Sequence, residues 1–153
     1  MTQFETQTQP SPQYTAPEPN GPLVGIIMGS QSDMDTMQKA GKVLEEAEVR
    51  YEIEVMSAHR DPERVAEYCR GAQARGLRVI IAGAGLSAAL PGVAAAHTGL
   101  PVIGVPLTSS MSAAGGLDAL LSVVQMPPGV PVAAVGLDNS RNAAHLAVRI
   151  INA

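Results

Sequence analysis

The sequence has 153 residues, 46% of them hydrophobic and 16% charged, with a formal net charge of −4; this suits one folded domain and argues against disorder. Ten Lys and Arg against 14 Asp and Glu form no basic cluster, so a nucleic-acid partner is not supported. The single cysteine cannot make an internal disulfide, and no apolar run reaches membrane-spanning length uninterrupted, so no membrane partner and a cytoplasmic location are expected.

The first 22 residues, rich in Gln, Thr and Pro, lack the basic start and apolar block of a secretion signal and are expected to form a disordered tail. A catalytic domain is expected over 23–153. "LVGIIMG" (23–29) is a short apolar run of the kind found in a strand buried on both faces. A helix follows over 32–49, where Met34, Met37, Gly41 and Leu44 recur at helical spacing and Ser32 with Asp35 has the form of a capping box. "RYEIEVMSA" (50–58) alternates like a less buried strand. "DPERVAEYCRGAQARG" (61–76) is a helix with Pro62 in its first turn, Gly76 past its end, and Val65, Tyr68, Cys69 and Ala72 on one apolar face. Cys69 is therefore read as a core residue.

The alternation continues with a strand over 77–85, a short helix of small residues over 88–97 and a strand over 101–107. A helix over 116–126, a strand over 131–139 and a last helix over 142–152 complete it. Five strand–helix units in succession predict a flavodoxin-like three-layer α/β/α sandwich around a parallel five-stranded sheet. The low charge content leaves little polar surface for a monomer, and a homo-oligomer is expected.

Ligands of such folds bind outside the carboxyl ends of the strands, so the residues just after each strand are the candidates. They are 29–33 after the first strand, 57–60 after the second, 83–87 after the third, 106–110 after the fourth and 138–140 after the fifth. The segment 29–33 enters a helix N-terminus, where unpaired N–H groups favour an anion, Ser30 and Ser32 add hydroxyls, and Asp33 can accept from sugar hydroxyls. Ser32 or Asp33 acting only as a helix cap is the competing reading. In "SAHR", Arg60 carries a forked, permanent charge suited to phosphate, and imidazole, as in His59, is the side chain that exchanges protons near neutral pH. Against this stands an exposed loop histidine, with Arg60 paired to Asp61 or Glu63. His97 and His145 fall at and within helices and are read as structural or solvent-facing. "AGAG" (82–85) serves either a close ligand approach or tight helix–sheet packing. No P-loop, dinucleotide fingerprint, nucleophile elbow or metal-ligand spacing is present.

Taken together, "GIIMGSQSD", "SAHRDPER", "VIIAGAG", "LPGVAAA", "PVIGVP", "GLDALLSVVQMPPGVPVA" and "NAAHLA" resemble, in order and spacing, the class I 5-(carboxyamino)imidazole ribonucleotide mutase (PurE) family of purine biosynthesis. The resemblance runs from Val24 to the C-terminus. It implies a flavodoxin-like domain assembled as an octamer, a ribonucleotide substrate, CO2 as a transient, and neither metal nor organic cofactor. It also implies that His59 shuttles the proton and that Ser30, Asp33 and Arg60 bind substrate, with Ser32 and Ser57 as further contacts. "AGAG" with Gly85, and "LPG" with Leu90, would wall the site.

Three features depart from the family pattern. "LSAALPG" (86–92) stands where members read "GAAHLPG", so the family's second histidine is Ala89 here. Members continue past the position of Ala153 into a helix that packs on neighbouring subunits. Parts of the sequence also resemble the carboxylating domain of pyridinium-biscarboxylate mononucleotide synthases, whose separate N-terminal domain has no counterpart here. A direct carboxylase of aminoimidazole ribonucleotide carries Lys where Arg60 stands, so Arg60 favours the mutase. A ribonucleotide-binding subunit without activity is the alternative outside the enzymes.

Overall fold

Val24–Met28, five residues without a polar side chain, form β1, and all five are buried. A 3-10 turn at Gln31–Asp33 leads into α1 (Met34–Glu46), which presents Met37, Ala40, Gly41, Val43 and Leu44 to the sheet. β2 (Tyr51–Val55) is half-buried throughout, as its alternating sequence predicts for an edge. Then come α2 (Pro62–Ala72), β3 (Val79–Gly85), α3 (Leu90–Ala96) and β4 (Val102–Leu107). After a 3-10 turn at Ala114–Gly116 the chain ends with α4 (Leu117–Val124), β5 (Ala133–Ala134) and α5 (Ser140–Ile151). The structure, a computed structural model, describes residues 19–153; the expected disordered tail lies, up to residue 18, outside the described residues.

The five strands are parallel in the order β2-β1-β3-β4-β5, with Ile26 level with Ile53 on one side and Ile81 on the other. This is the flavodoxin-like order, and it creates a switch point between β1 and β3, where successive connections leave to opposite faces. One face of the sheet packs Ile27, Ile80 and Ala82 against Val65, Cys69 and Ala72 of α2 and against α3 and α4. The other packs Ile26, Met28, Val79 and Ile81 against Met37 and Leu44 of α1 and Ala143, Ala144 and Ala147 of α5. Three layers result, as the alternation predicts.

Small residues set the layer spacing. A Cβ at Gly83 would lie 2.5 Å from Met37 Sδ, so this glycine lets α1 settle on β3. At Gly85 the same atom would lie 3.0 Å from the Leu107 carbonyl oxygen. Gly83 thus serves helix–sheet packing, the second of the two readings open to this segment, whereas Gly85 meets the neighbouring strand β4.

Two local expectations need correction. The Ser32–Asp35 capping box does not form. Ser30 instead caps the 3-10 turn by accepting from the Ser32 N–H, and Asp33, at the N-cap of α1, makes no side-chain capping bond. The strand expected over 131–139 shrinks to two exposed residues. Pro106 of β4 turns its carbonyl toward this edge, accepting from Asp138 N–H at 2.9 Å, but has no N–H to return, so the ladder stops beyond Gly104.

Candidate active site at the carboxyl edge of the sheet

A cleft of about 430 Å³ opens outside the carboxyl ends of β1, β3 and β4, at the switch point, and the loop after β2 closes one side. All eight residues expected at the site, Ser30, Ser32, Asp33, Ser57, His59, Arg60, Gly85 and Leu90, line it. A wider hollow of about 650 Å³ runs along β2 past Glu45, Glu48 and Arg50, but it holds no imidazole, and Arg50 spends its Nε–H on the Gly21 carbonyl.

The floor is the turn after β1. Ser30 and Ser32 place their hydroxyl oxygens 2.9 Å apart, and Asp33 N–H donates to the Ser30 carbonyl at 3.1 Å. Two hydroxyls and the amino end of α1 therefore face one space, a constellation that suits a phosphate. Burial pushes the Asp33 carboxyl above the usual carboxylate range; a Ser30 backbone N–H opposes this, and the charge of Asp138 adds to it.

His59 and Arg60 stand on the turn after β2. Ser57 accepts the Arg60 N–H on its hydroxyl at 3.2 Å and the Asp61 N–H on its carbonyl at 2.9 Å, closing the turn. Asp61 caps α2 by accepting the Arg64 N–H at 3.3 Å, and Pro62 begins the helix. The two ion pairs among the described residues are Arg64–Glu54 and Arg75–Glu52. The guanidinium of Arg60 is thus paired with neither Asp61 nor Glu63, and it is exposed at the cleft.

The other histidines sit elsewhere. His97 ends α3 with its Nδ1 2.8 Å from the Val93 carbonyl, and His145 is exposed on α5. Cys69 is buried under α2, where desolvation pushes its thiol up to about 11, which leaves it inert at neutral pH.

Residues 23–153 match the AIR carboxylase family over their whole extent. The chain belongs to that family. The N5-carboxyaminoimidazole ribonucleotide mutase of Pyrococcus abyssi is 62% identical over 131 residues, 86% of this chain and 74% of that protein. The phosphoribosylaminoimidazole carboxylase of Schizosaccharomyces pombe is 57% identical over 130 residues, which cover 85% of this chain but 23% of that longer protein. The crystal structure of Treponema denticola PurE superposes with a TM-score of 0.74 at 34% identity, covering 86% of this chain and 80% of that one.

The cleft also contains residues beyond the eight expected at the site, among them Thr108 and Ser109 from the candidate segment after the fourth strand and Ala89 at the position of the family's second histidine. Met111, from the same loop after β4, lines it as well. Their position after a strand was the available signal, but hydroxyl and small apolar side chains carry no chemistry that separates them from ordinary loop residues.

Proposed function

We propose that this chain is an N5-carboxyaminoimidazole ribonucleotide mutase, moving a carboxylate from the exocyclic nitrogen of an imidazole ribonucleotide to ring carbon C4. The observation that carries the reading is one turn presenting the His59 imidazole and the Arg60 guanidinium, which has no ion-pair partner among the described residues, in the same cleft as the Ser30–Ser32 hydroxyls. The identity to the Pyrococcus abyssi mutase supports it.

In this reading Arg60, Ser30 and Ser32 hold the phosphate, and Asp33 accepts from the ribose hydroxyls. Ser57 fixes the turn and adds a contact. The N–CO2 bond breaks with its electron pair going to nitrogen, which takes a proton from His59. C4 of the resulting aminoimidazole attacks the CO2 carbon, and a C–C bond forms. The proton displaced from C4 returns to His59, so the enzyme ends as it began. Gly85 and Leu90 wall a small space in which CO2 is held by proximity, with water kept out. With Ala89 in the cleft wall, His59 works without a second imidazole at that position.

The active unit is a homo-oligomer, and the family resemblance points to an octamer. Leu117, Leu121 and Val124 form an exposed stripe along α4, and Met111 is 72% exposed, an apolar surface suited to burial between copies. Among the described residues no helix is long and apolar enough to cross a membrane, which is compatible with a cytoplasmic enzyme.

The test is a spectroscopic assay with synthetic carboxyamino substrate and no added bicarbonate, in which the C4 carboxylate should accumulate. Product formed only from aminoimidazole ribonucleotide with high bicarbonate would favour the direct carboxylase. Tight ribonucleotide binding with no turnover in either assay would leave a binding subunit.

A further inference from the structure

Asp138 lies in the connection between β5 and α5, outside the wall of the cleft, yet its carboxylate is committed to a residue that lines it. One oxygen accepts the Thr108 backbone N–H at 2.8 Å, and the other accepts the Thr108 hydroxyl. Both donors of Thr108, the first residue after β4, are thereby held by a single side chain.

The backbone around Asp138 is built to aim that carboxylate. Its φ is 56°, in the left-handed region that non-glycine residues seldom enter. Its N–H donates to the Pro106 carbonyl at 2.9 Å, and its own carbonyl accepts from Ser140 N–H at 3.0 Å. Ser140, fully buried, donates its hydroxyl to the Thr36 carbonyl at 2.5 Å, anchoring the start of α5 to α1. Asp138 therefore hangs from β4 and from the α1–α5 layer at once.

The loop it grips is otherwise held by its own short-range bonds. Ser109 N–H donates to the Ser112 hydroxyl at 2.8 Å, Met111 N–H to the Ser109 hydroxyl at 3.2 Å, and Ala113 N–H to the Asp118 carboxylate at 3.2 Å. It ends in three consecutive left-handed residues, Ala114, Gly115 and Gly116, with φ of 47°, 70° and 104°. A Cβ at Gly116 would lie 2.7 Å from the Thr108 side chain, so the loop's two ends meet at Thr108. A loop with one side-chain clamp at its root is set by that clamp.

We propose that Asp138 is a positioning residue for the proposed carboxylate transfer, latching Thr108 so that the β4–α4 loop stands as a fixed wall of the cleft and keeps released CO2 inside. The proposal rests on the mutase reading for its chemistry and on the Asp138–Thr108 geometry for its structure. Without the latch, CO2 that has left nitrogen escapes before C4 captures it. Nitrogen then keeps the proton it took from His59, His59 regains one from solvent water, and aminoimidazole ribonucleotide and CO2 leave as separate products.

The test uses full-length Asp138→Ala, Asp138→Gly, Asp138→Asn, Thr108→Val and Thr108→Ser proteins. Two readouts are taken: hydrogen exchange across 107–117, and the fraction of synthetic carboxyamino substrate that ends as free aminoimidazole ribonucleotide, corrected for enzyme-free decay. Asp138→Ala and Asp138→Gly should both speed exchange and raise the free-amine fraction by about threefold or more, with kcat falling more than KM rises. Asparagine tolerates the left-handed backbone and still accepts one bond, so Asp138→Asn should lie between them and wild type. Thr108→Val should leak, and Thr108→Ser should behave as wild type. Glycine relieves the backbone strain, so wild-type exchange and partition in Asp138→Gly would overturn the latch. Faster exchange with an unchanged free-amine fraction would overturn the positioning role. Absence of turnover in the wild-type protein would instead sink the mutase reading, while the exchange data would still decide the latch.

Discussion

The backbone N–H of Arg60 donates to the hydroxyl of Ser57 at 3.2 Å, and this bond closes the turn that carries His59 into the cleft. A serine expected to touch substrate is thus first a brace for the imidazole and guanidinium beside it.

Replacing Ser57 with Ala should therefore act at a distance. The turn loses a bond of roughly 1 kcal/mol, and His59 loses its fixed direction. We expect kcat/KM to fall about tenfold while the melting temperature falls by only about 2–4 °C, with Ser57→Thr restoring most of the rate. Steady-state kinetics on the pair checks this. A Ser57→Thr protein as impaired as Ser57→Ala would count against the bracing role.

Arg60 offers a guanidinium with no ion-pair partner among the described residues, so its loss should be felt in binding. Arg60→Ala should weaken affinity for aminoimidazole ribonucleotide about 10- to 100-fold, the equivalent of ~1.5–3 kcal/mol for a hydrogen bond to a charged group. Calorimetric titration measures it directly, and phosphate-free aminoimidazole riboside should show almost no difference between the two proteins. Equal affinity of the two proteins for the ribonucleotide would remove Arg60 from the phosphate site.

In the proposed reading Asp33 accepts from the ribose hydroxyls, and its place in the cleft has a cost to the fold. Its carboxyl sits above the usual value of 3.8, raised mainly by burial, lowered by the Ser30 N–H and raised again by Asp138. The native state therefore holds that proton more tightly than the unfolded chain does. The resulting stability is complete below the unfolded value and is lost as pH rises through the folded one. At neutral pH the ionised, partly exposed carboxylate is mildly destabilising. Asp33→Asn should raise the melting temperature by roughly 1–3 °C at pH 7 and have little effect near pH 3, while substrate binding is lost. A melting temperature that falls at pH 7 would contradict the sign.

Much of the fold was legible because its signals are local. The apolar run 24–28, bounded by Pro22 and Gly29, reads as a strand covered on both faces, and Asp61-Pro62 ahead of an apolar periodic segment reads as a helix start. The short β5 was not, because its length is decided by a proline in another strand: Pro106 withholds the donor that residues past Ala134 would need. Nor was the cap of the first turn. Ser32-x-x-Asp35 and Ser30-x-Ser32 are both chemically able to cap, and only the geometry of the 3-10 turn selects Ser30. At the site, His59 and Arg60 were visible because their chemistry is rare at the end of a strand. Asp138 stood among the candidates after the fifth strand, but its bond to Thr108, across 30 residues of sequence, could not be read there.

The proton shuttle is the centre of the proposed chemistry, and His59→Asn tests it most directly. Asparagine keeps a polar side chain on the same turn but cannot exchange a proton near neutrality, and proton transfer stabilises the transition state more than the bound substrate. Single-turnover conversion of the carboxyamino substrate, measured beside its binding affinity, should show a rate reduced by about 10²-fold or more with affinity within a few-fold of wild type. A His59→Asn protein that converts substrate at near wild-type rate would contradict it.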